Sequence, residues 1–300
     1  MTEETSKKYK SGFVTMWGRP NVGKSTLLNT LVGEKVAIVT PRPQTTRNRV
    51  MGVCEVENGQ IVFLDTPGIL KPKQRLDEYL VKSARTCLRD ADVVLFVVDS
   101  TTPPHSDDKR AAKLLRPLKK DILLVVNKID ATDISRLEDR IEEYKKLGDF
   151  KGGVAVSATT KINIQTLVDK ILGLLPESPA YYPEGTVTDQ QEKLTMAELI
   201  REQVLIFARQ EVPHGVAVVI KEVAPRSPEL VYIAATIYVE KPTHKLIIVG
   251  GHGQMLKEIG KKSREGIQEL LGKKVYLDLW VKVSKNWRKD EAALKRFGYK

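Results

Sequence analysis

The stretch Phe13-Val14-Thr15-Met16-Trp17-Gly18-Arg19-Pro20-Asn21-Val22-Gly23-Lys24-Ser25 decides the fold. Its apolar start predicts a buried strand, a glycine-bounded loop follows, and Lys24 to Val32 has the spacing of a helix. Gly18 to Ser25 fits Gly-x-x-x-x-Gly-Lys-Ser in the strand–loop–helix setting that a phosphate-binding loop requires. Glycines let the backbone wrap an anion closely, so that successive N–H groups point inward. The helix that follows presents its positive end to the same anion. Lys24 is expected to bridge the β- and γ-phosphates, and the Ser25 hydroxyl to hold Mg²⁺. The phosphate-contacting stretch is then Gly18, Arg19, Pro20, Asn21, Val22, Gly23, Lys24, Ser25 and Thr26. A chance glycine turn is the plain alternative, and the flanking strand and helix weigh against it.

Outward from this loop, Ile61 to Asp65, Val93 to Asp99, Ile122 to Asn127 and Val154 to Ser157 read as further buried strands. Between them Arg75 to Arg89, Lys109 to Leu118, Ile134 to Leu147 and Ile164 to Leu174 carry helical spacing. Alternating strands and helices predict an α/β domain, a mostly parallel sheet with helices on both faces. Ligands of such sheets sit at the carboxyl ends of the strands. The motifs fall there. Asp65-Thr66-Pro67-Gly68 ends one strand, where Asp65 can hold Mg²⁺ through water and the Gly68 N–H can meet the γ-phosphate. Asn127-Lys128-Ile129-Asp130 ends another. A carboxylate at Asp130 accepts from guanine N1–H and its exocyclic amine, and adenine offers no such pair. Asn127 braces the base and the phosphate loop, the Lys128 stem covers the ring, and Ser157-Ala158 brings a backbone N–H toward guanine O6. The cofactors so implied are GTP or GDP with Mg²⁺.

Near Leu175 the periodicity stops, and Pro176, Pro179, Pro183 and Gly185 punctuate a polar stretch. The expected organisation is a first domain over 1–178, a linker over 179–190 and a second domain over 191–300. The second half reads as a helix over Gln191 to Arg209 and strands over Val216 to Val223 and Leu230 to Val239. A glycine cluster, a helix over Gln254 to Leu271, a strand over Lys274 to Val283 and a short basic helix over Asp290 to Phe297 follow. A net charge of +11 favours a polyanionic partner, nucleic acid or an acidic membrane surface. No apolar run is long enough to span a bilayer. The 2 cysteines, Cys54 and Cys87, lack metal-ligand spacing and fit a reducing cytosol.

Ile247-Ile248-Val249-Gly250-Gly251-His252-Gly253-Gln254-Met255-Leu256-Lys257 resembles the KH signature, with Gly250 to Gly253 as its Gly-x-x-Gly loop. That likeness, with the order of elements around it, implies a smaller α+β domain of type II KH fold that clamps about four nucleotides of single-stranded RNA. Ile248, Val249, Gly250, Gly251, His252, Gly253, Gln254 and Lys257 are its expected RNA contacts, with Lys282 and Lys285 supplying phosphate contacts. Trp280, in an alternating strand, is expected in the core, and Trp287 either packs or stacks on a base. A glycine-rich turn without a ligand is the plain alternative.

In order and spacing the two halves together resemble the Era family within the TrmE–Era–Der group of GTPases, from Gly12 to Tyr299. Pro20-Asn21 and Gln44-Thr45-Thr46-Arg47 carry the group likeness. The resemblance implies that one of the two threonines closes on Mg²⁺, Thr46 being favoured and Thr45 the alternative. Lys24, Thr46, Asp65, Gly68 and Asn21 are then the catalytic set, with Asn21 helping to hold a K⁺ ion in place of an arginine finger. Ile69 departs from the glutamine of Ras-like proteins, which implies slow intrinsic turnover. The resemblance further implies binding near the 3′ end of small-subunit ribosomal RNA in 30S assembly, by a cytoplasmic monomer with room for peripheral membrane contact. Two rivals are an RNA chaperone with a structural nucleotide pocket and a KH-fold scaffold that docks proteins or membranes.

Overall fold

The computed structural model describes residues 8–69, 72–208 and 212–299. The chain divides into two compact units, one of Met1–Ala37, Thr46–Lys71 and Leu80–Asp189, the other of Ile38–Thr45, Pro72–Tyr79 and Gln190–Lys300.

The first unit runs β1 (Lys10–Trp17), α1 (Lys24–Val32), β2 (Val50–Val56), β3 (Gly59–Asp65), α2 (Arg75–Asp90, in this unit from Leu80 onward), β4 (Val93–Asp99), α3 (Ser106–Leu115), β5 (Asp121–Asn127), α4 (Ile134–Lys145), β6 (Gly152–Ala155) and α5 (Ile164–Leu174). Its sheet has the order β2-β3-β1-β4-β5-β6, with β2 antiparallel and the other pairs parallel. The central strands are apolar on both faces because helices cover both. Leu27 and Leu31 of α1 and Leu167 and Ile171 of α5 fill one side, and Ala84, Leu88, Ala111, Leu115 and Tyr144 the other. Strand β2 was not among the expected strands, although Asn58-Gly59 is a hairpin signal; Asn58 takes the left-handed conformation at φ 62°. Helix α3 starts earlier than expected because His105 and Asp108 form a capping box at its N-terminus. It stops before Pro117, which cannot continue it.

Of the stretch 179–190, expected as a linker, the part up to Asp189 is tied to the first unit. The Ser11 hydroxyl donates to the Pro179 carbonyl at 2.5 Å, and the Gln60 side-chain oxygen accepts from the Tyr181 and Tyr182 N–H groups. The Val53 N–H donates to the Val187 carbonyl at 2.9 Å.

The second unit contains α6 (Glu192–Phe207), β7 (Ala217–Ser227), β8 (Leu230–Val239), α7 (Pro242–Val249), α8 (Gln254–Leu271), β9 (Lys274–Val283) and α9 (Glu291–Arg296). Arg209, the expected end of the first of these helices, lies outside the described residues. The sheet order is β7-β8-β9, antiparallel then parallel, as the type II KH arrangement requires. One core joins Met196, Ile200 and Val204 of α6, Ile248 of α7, Ile259 and Ile267 of α8, and the inward residues of the strands. The segment Ile38–Thr45 packs in this unit: the Val39 N–H donates to Glu202 at 2.9 Å, and the Thr45 carbonyl accepts from the buried Arg201 guanidinium.

The expectation for Trp280 is corrected, and of the two alternatives for Trp287 the structure has the packed one. Trp280 is 60% exposed, because its side of the sheet carries no helical layer there. Trp287 is fully buried: its indole donates to the Gly215 carbonyl at 2.9 Å and its ring stacks on Tyr299 at 5.8 Å.

Candidate nucleotide and RNA sites

Register places the motif residues of the first unit along one edge of the sheet. Met16 lies beside Asp65 and Asp99 beside Asn127, so the carboxyl ends of β1, β3, β4 and β5 meet there. The loop between β1 and α1 turns through Gly18 and Gly23, and Val22 anchors it in the core. Lys24 is buried and folds back to donate to the carbonyls of Gly18 at 3.2 Å and Arg19 at 2.8 Å. Burial pushes its ammonium down to about 8, against the opposing pull of Asp65. Arg19 is held away from the loop centre by Asp108 at 3.1 Å.

Three oxygens converge beside Lys24. Ser25 Oγ donates to Asp65 Oδ2 at 2.6 Å, Thr46 Oγ1 donates to the same atom at 3.0 Å, and the two hydroxyls lie 2.9 Å apart. Burial pushes the Asp65 carboxyl up, while Lys24 and the two hydroxyls pull it back. Its second oxygen, Oδ1, is buried without a hydrogen-bond partner among the described residues. Thr45, the alternative to Thr46, points elsewhere, its hydroxyl 2.7 Å from that of Thr40. Gly68 presses on the loop so closely that a Cβ there would fall 2.6 Å from the Pro20 nitrogen. Ile69 is buried in the apolar cluster under α2 and α3, and its N–H donates to the Gly18 carbonyl at 3.2 Å.

Asn127 joins three motifs. Its Nδ2 donates to the Val22 carbonyl at 3.0 Å, and its Oδ1 accepts from the Ala158 N–H at 3.1 Å. The Ser157 N–H donates to the Ile162 carbonyl. Both donors expected near guanine O6 are therefore engaged within the chain, and a contact from Ala158 would share its hydrogen with Asn127. Lys128, at φ 68°, donates to the Asn21 carbonyl at 2.8 Å and to Asp99 at 2.6 Å. Burial alone would raise the Asp99 carboxyl, but the bonds from Lys128 and Thr101 outweigh it and hold it below its ordinary range. Asp99 was not anticipated, although its place at a strand end in line with Asn127 was a usable signal. Asp130 lies exposed on the turn Ile129–Ala131, with no hydrogen bond or ion pair among the described residues. Thr26 lies in the first turn of α1.

In the second unit the Gly250 to Gly253 loop joins α7 to α8. Gly250 has φ 71°, and a Cβ there would meet the Met255 Cβ at 2.6 Å; Gly253 has φ 77° in open space. Packing fixes the first glycine and backbone conformation the second. Gly251, His252, Gln254 and Lys257 are exposed around the loop. Ile248, expected to touch RNA, is instead fully buried in the core, because helical phase turns it toward the sheet; Leu246 and Ile247 are the exposed apolar residues of α7. Val249 packs against that core, partly exposed. Lys282 alternates with buried Val281 and so faces away from the helices that carry the loop. Lys285 is exposed beyond the strand.

A phosphate loop, a Mg²⁺-type oxygen cluster and a base-selecting strand end define the first unit as a P-loop GTPase domain, followed by a KH domain. A family described as 50S ribosome-binding GTPase matches residues 13–128, and the KH domain family matches residues 211–288. GTPase Era of Halothermothrix orenii is 48% identical over 292 residues, 97% of this chain and 99% of its own length. That of Alkaliphilus oremlandii is 49% identical over 292 residues, again 97% and 99%. This chain belongs to the Era family of GTPases. A crystal structure of Era with MgGDPNP and nucleotides 1506–1542 of 16S ribosomal RNA has TM-score 0.94 and 41% identity, covering 97% of this chain and 99% of that one. An Aquifex aeolicus Era variant bound to GDP and aluminium fluoride has TM-score 0.93 and 41% identity, with the same coverage. Among the described residues no helix is long and apolar enough to cross a membrane.

Proposed function

We propose that this chain hydrolyses GTP as a molecular switch and binds the single-stranded 3′ end of small-subunit ribosomal RNA during 30S assembly. The observation that carries the GTPase half is the convergence of Ser25, Thr46 and Asp65 on one buried point, with Asp65 Oδ1 left unsatisfied. Two hydroxyls and a carboxylate are hard oxygen donors that suit Mg²⁺, which takes few protein ligands and leaves room for phosphates and water. Ser25, Thr46 and Asp65 would hold it, and when bound it neutralises charge on the β- and γ-phosphates. Lys24 adds a buried cation at the phosphates, the Gly68 N–H reads the γ-phosphate, and Asp130 selects guanine. Since Ile69 packs in the core, no side-chain amide there orients the attacking water, and intrinsic turnover is slow.

Asn21 holds a K⁺ ion in this reading. Single-turnover hydrolysis is expected to be faster in K⁺ than in Na⁺, and equal rates would remove that part. The RNA half rests on the KH fold with its exposed Gly250 to Gly253 loop and on the RNA bound by the relative. The chain works as a monomer in the cytoplasm, its basic surface able to touch the inner face of the membrane.

The deciding measurement is affinity for a 16S 3′-end oligonucleotide with a GTP analogue, with GDP and without nucleotide. Tight binding only with the triphosphate, lost in Gly253→Asp, is expected. Nucleotide-independent binding would separate the GTPase from the RNA binder, and no binding would leave the scaffold reading.

A further inference from the structure

The sheet of the second unit has two unlike faces. Ile233, Ala235 and Ile237 of β8, with Val275 and Val281 of β9, meet the helices. Alternation turns Tyr232 of β8 and Lys274, Tyr276, Asp278, Trp280 and Lys282 of β9 to the other side. Tyr232 and Tyr276 are partners across the parallel pair and stack at 5.9 Å with 23° between their rings. Tyr276 is 62% and Trp280 60% exposed. Neither aromatic is a loose surface group: the Trp280 indole donates to Asp278 at 2.9 Å, and Tyr276 stacks on Tyr232, whose hydroxyl donates to the same carboxylate at 3.3 Å. Asp278 thus sets the pose of the rings.

Cations surround them. Arg226 lies over the Tyr232 ring at 4.9 Å and Lys221 over Tyr238 at 5.6 Å. Lys274 and Lys282 stand exposed at the two ends of the outward row of β9, with no ion pair among the described residues. Against these four cations the face offers Asp278, already engaged, and Glu222. Fixed, exposed aromatics among unpaired cations make up a base-stacking platform for single-stranded nucleic acid. The Gly250 to Gly253 loop belongs to the helical layer on the opposite side of the sheet, so this face is a surface distinct from the loop.

We propose that this outer sheet face is a second RNA-contact surface, where Tyr276 and Trp280 each stack on an unpaired base while Arg226, Lys274 and Lys282 meet the flanking phosphates. Four residues along a strand separate the two rings by about 13 Å, so the bases they take are splayed apart rather than stacked neighbours. The inference rests on the reading of the second unit as an RNA binder and extends the bound stretch beyond the roughly four nucleotides that the loop itself clamps.

The sequence holds 3 tryptophans, and Trp17 and Trp287 are fully buried, so Trp280 alone reports on this face. The test titrates the full chain, with a GTP analogue, against two RNAs: nucleotides 1506–1542 of 16S rRNA, and a fragment of about six nucleotides sized for the loop alone. Acrylamide quenching of Trp280 is expected to be shielded by the long RNA and not by the short one. Tyr276→Ala and Trp280→Ala, both at exposed positions and checked for fold by circular dichroism, are each expected to weaken the long RNA about tenfold and leave the short RNA unchanged. Trp280→Phe, which keeps a ring, should restore most of that loss. Unshielded Trp280 with undiminished long-RNA affinity in the alanine variants would overturn the proposal, leave the loop reading standing and point to a protein on this face. Failure of the parent chain to bind either RNA would overturn both.

Discussion

The Asn127 amide donates to Val22 and accepts from Ala158, so one side chain fixes the phosphate loop against the loop after β6. Asn127→Ala leaves a buried carbonyl and a buried N–H unpaired, each costing about 1–3 kcal/mol. GDP affinity, read by fluorescent-nucleotide titration, is expected to fall at least about tenfold, with a lower melting temperature even without nucleotide. A retained affinity would show that Lys128 and its partner Asp99 carry the brace instead. Cys87 gives a pH signature. Burial pushes its thiol up to about 11, whereas an unfolded thiol titrates near about 8.5. Between those values the unfolded chain releases its proton and the folded chain keeps it, so the folded state binds more protons. Stability that is fully present below about 8.5 therefore falls as pH rises toward 11. The decline in melting temperature over that window is expected to be shallower in Cys87→Ala. An identical slope in both proteins would assign the decline to other groups. At this scale the motifs were legible because phosphate and guanine chemistry admit few substitutes, and register gathers them at one edge of the sheet. They did not include Asp99, whose role depends on Lys128 folding back across the loop.

Elements were legible wherever their apolar pattern was continuous. β1, β3, β4 and β5 are apolar runs because both faces of a central parallel strand are covered. The edge strand β2 is half exposed toward its end, with Cys54 and Glu55 breaking the run, and so it lacked that signal. The two tryptophans show the limit of periodicity. Alternation says which residues of β9 share a face, but not whether a layer covers that face. Trp280 shares its face with Tyr276 and Lys282 and stays exposed. Trp287 lies in an aperiodic basic segment, yet the chain folds back and encloses it with Phe297 and Tyr299. The basic end is thus a packed element rather than a solvated tail. Trp287→Ala is expected to cost about 3–5 kcal/mol, while Trp280→Ala changes stability by no more than about 0.5 kcal/mol. Chemical denaturation of both variants checks the contrast, and equal losses would mean that the outward face of β9 is covered after all.

At the scale of the whole molecule, the proposed function gives nucleotide and RNA to different units, and linkage would relate them. If the triphosphate raises RNA affinity by some factor, RNA raises affinity for the triphosphate by the same factor. Titrating a GTP analogue with and without the 3′-end RNA is expected to return the ratio found in the reverse experiment. A mismatch beyond error would mean that a further equilibrium, such as self-association, takes part. The sequence by itself determined the two kinds of domain, their order and the chemistry of the nucleotide pocket. Those follow from local requirements: glycines where backbone must approach an anion, carboxylates where charge or guanine must be met, and periodicity that separates helix from strand. Only the tertiary structure decided that Thr46 rather than Thr45 joins Ser25 and Asp65, that 179–189 is fastened to the first unit, and that Ile38–Thr45 and Pro72–Tyr79 pack with the second. It also decided which tryptophan is core. Each of these depends on residues far apart in the chain meeting in space, and the free energy of burying a side chain is set by those neighbours rather than by its own place in the sequence.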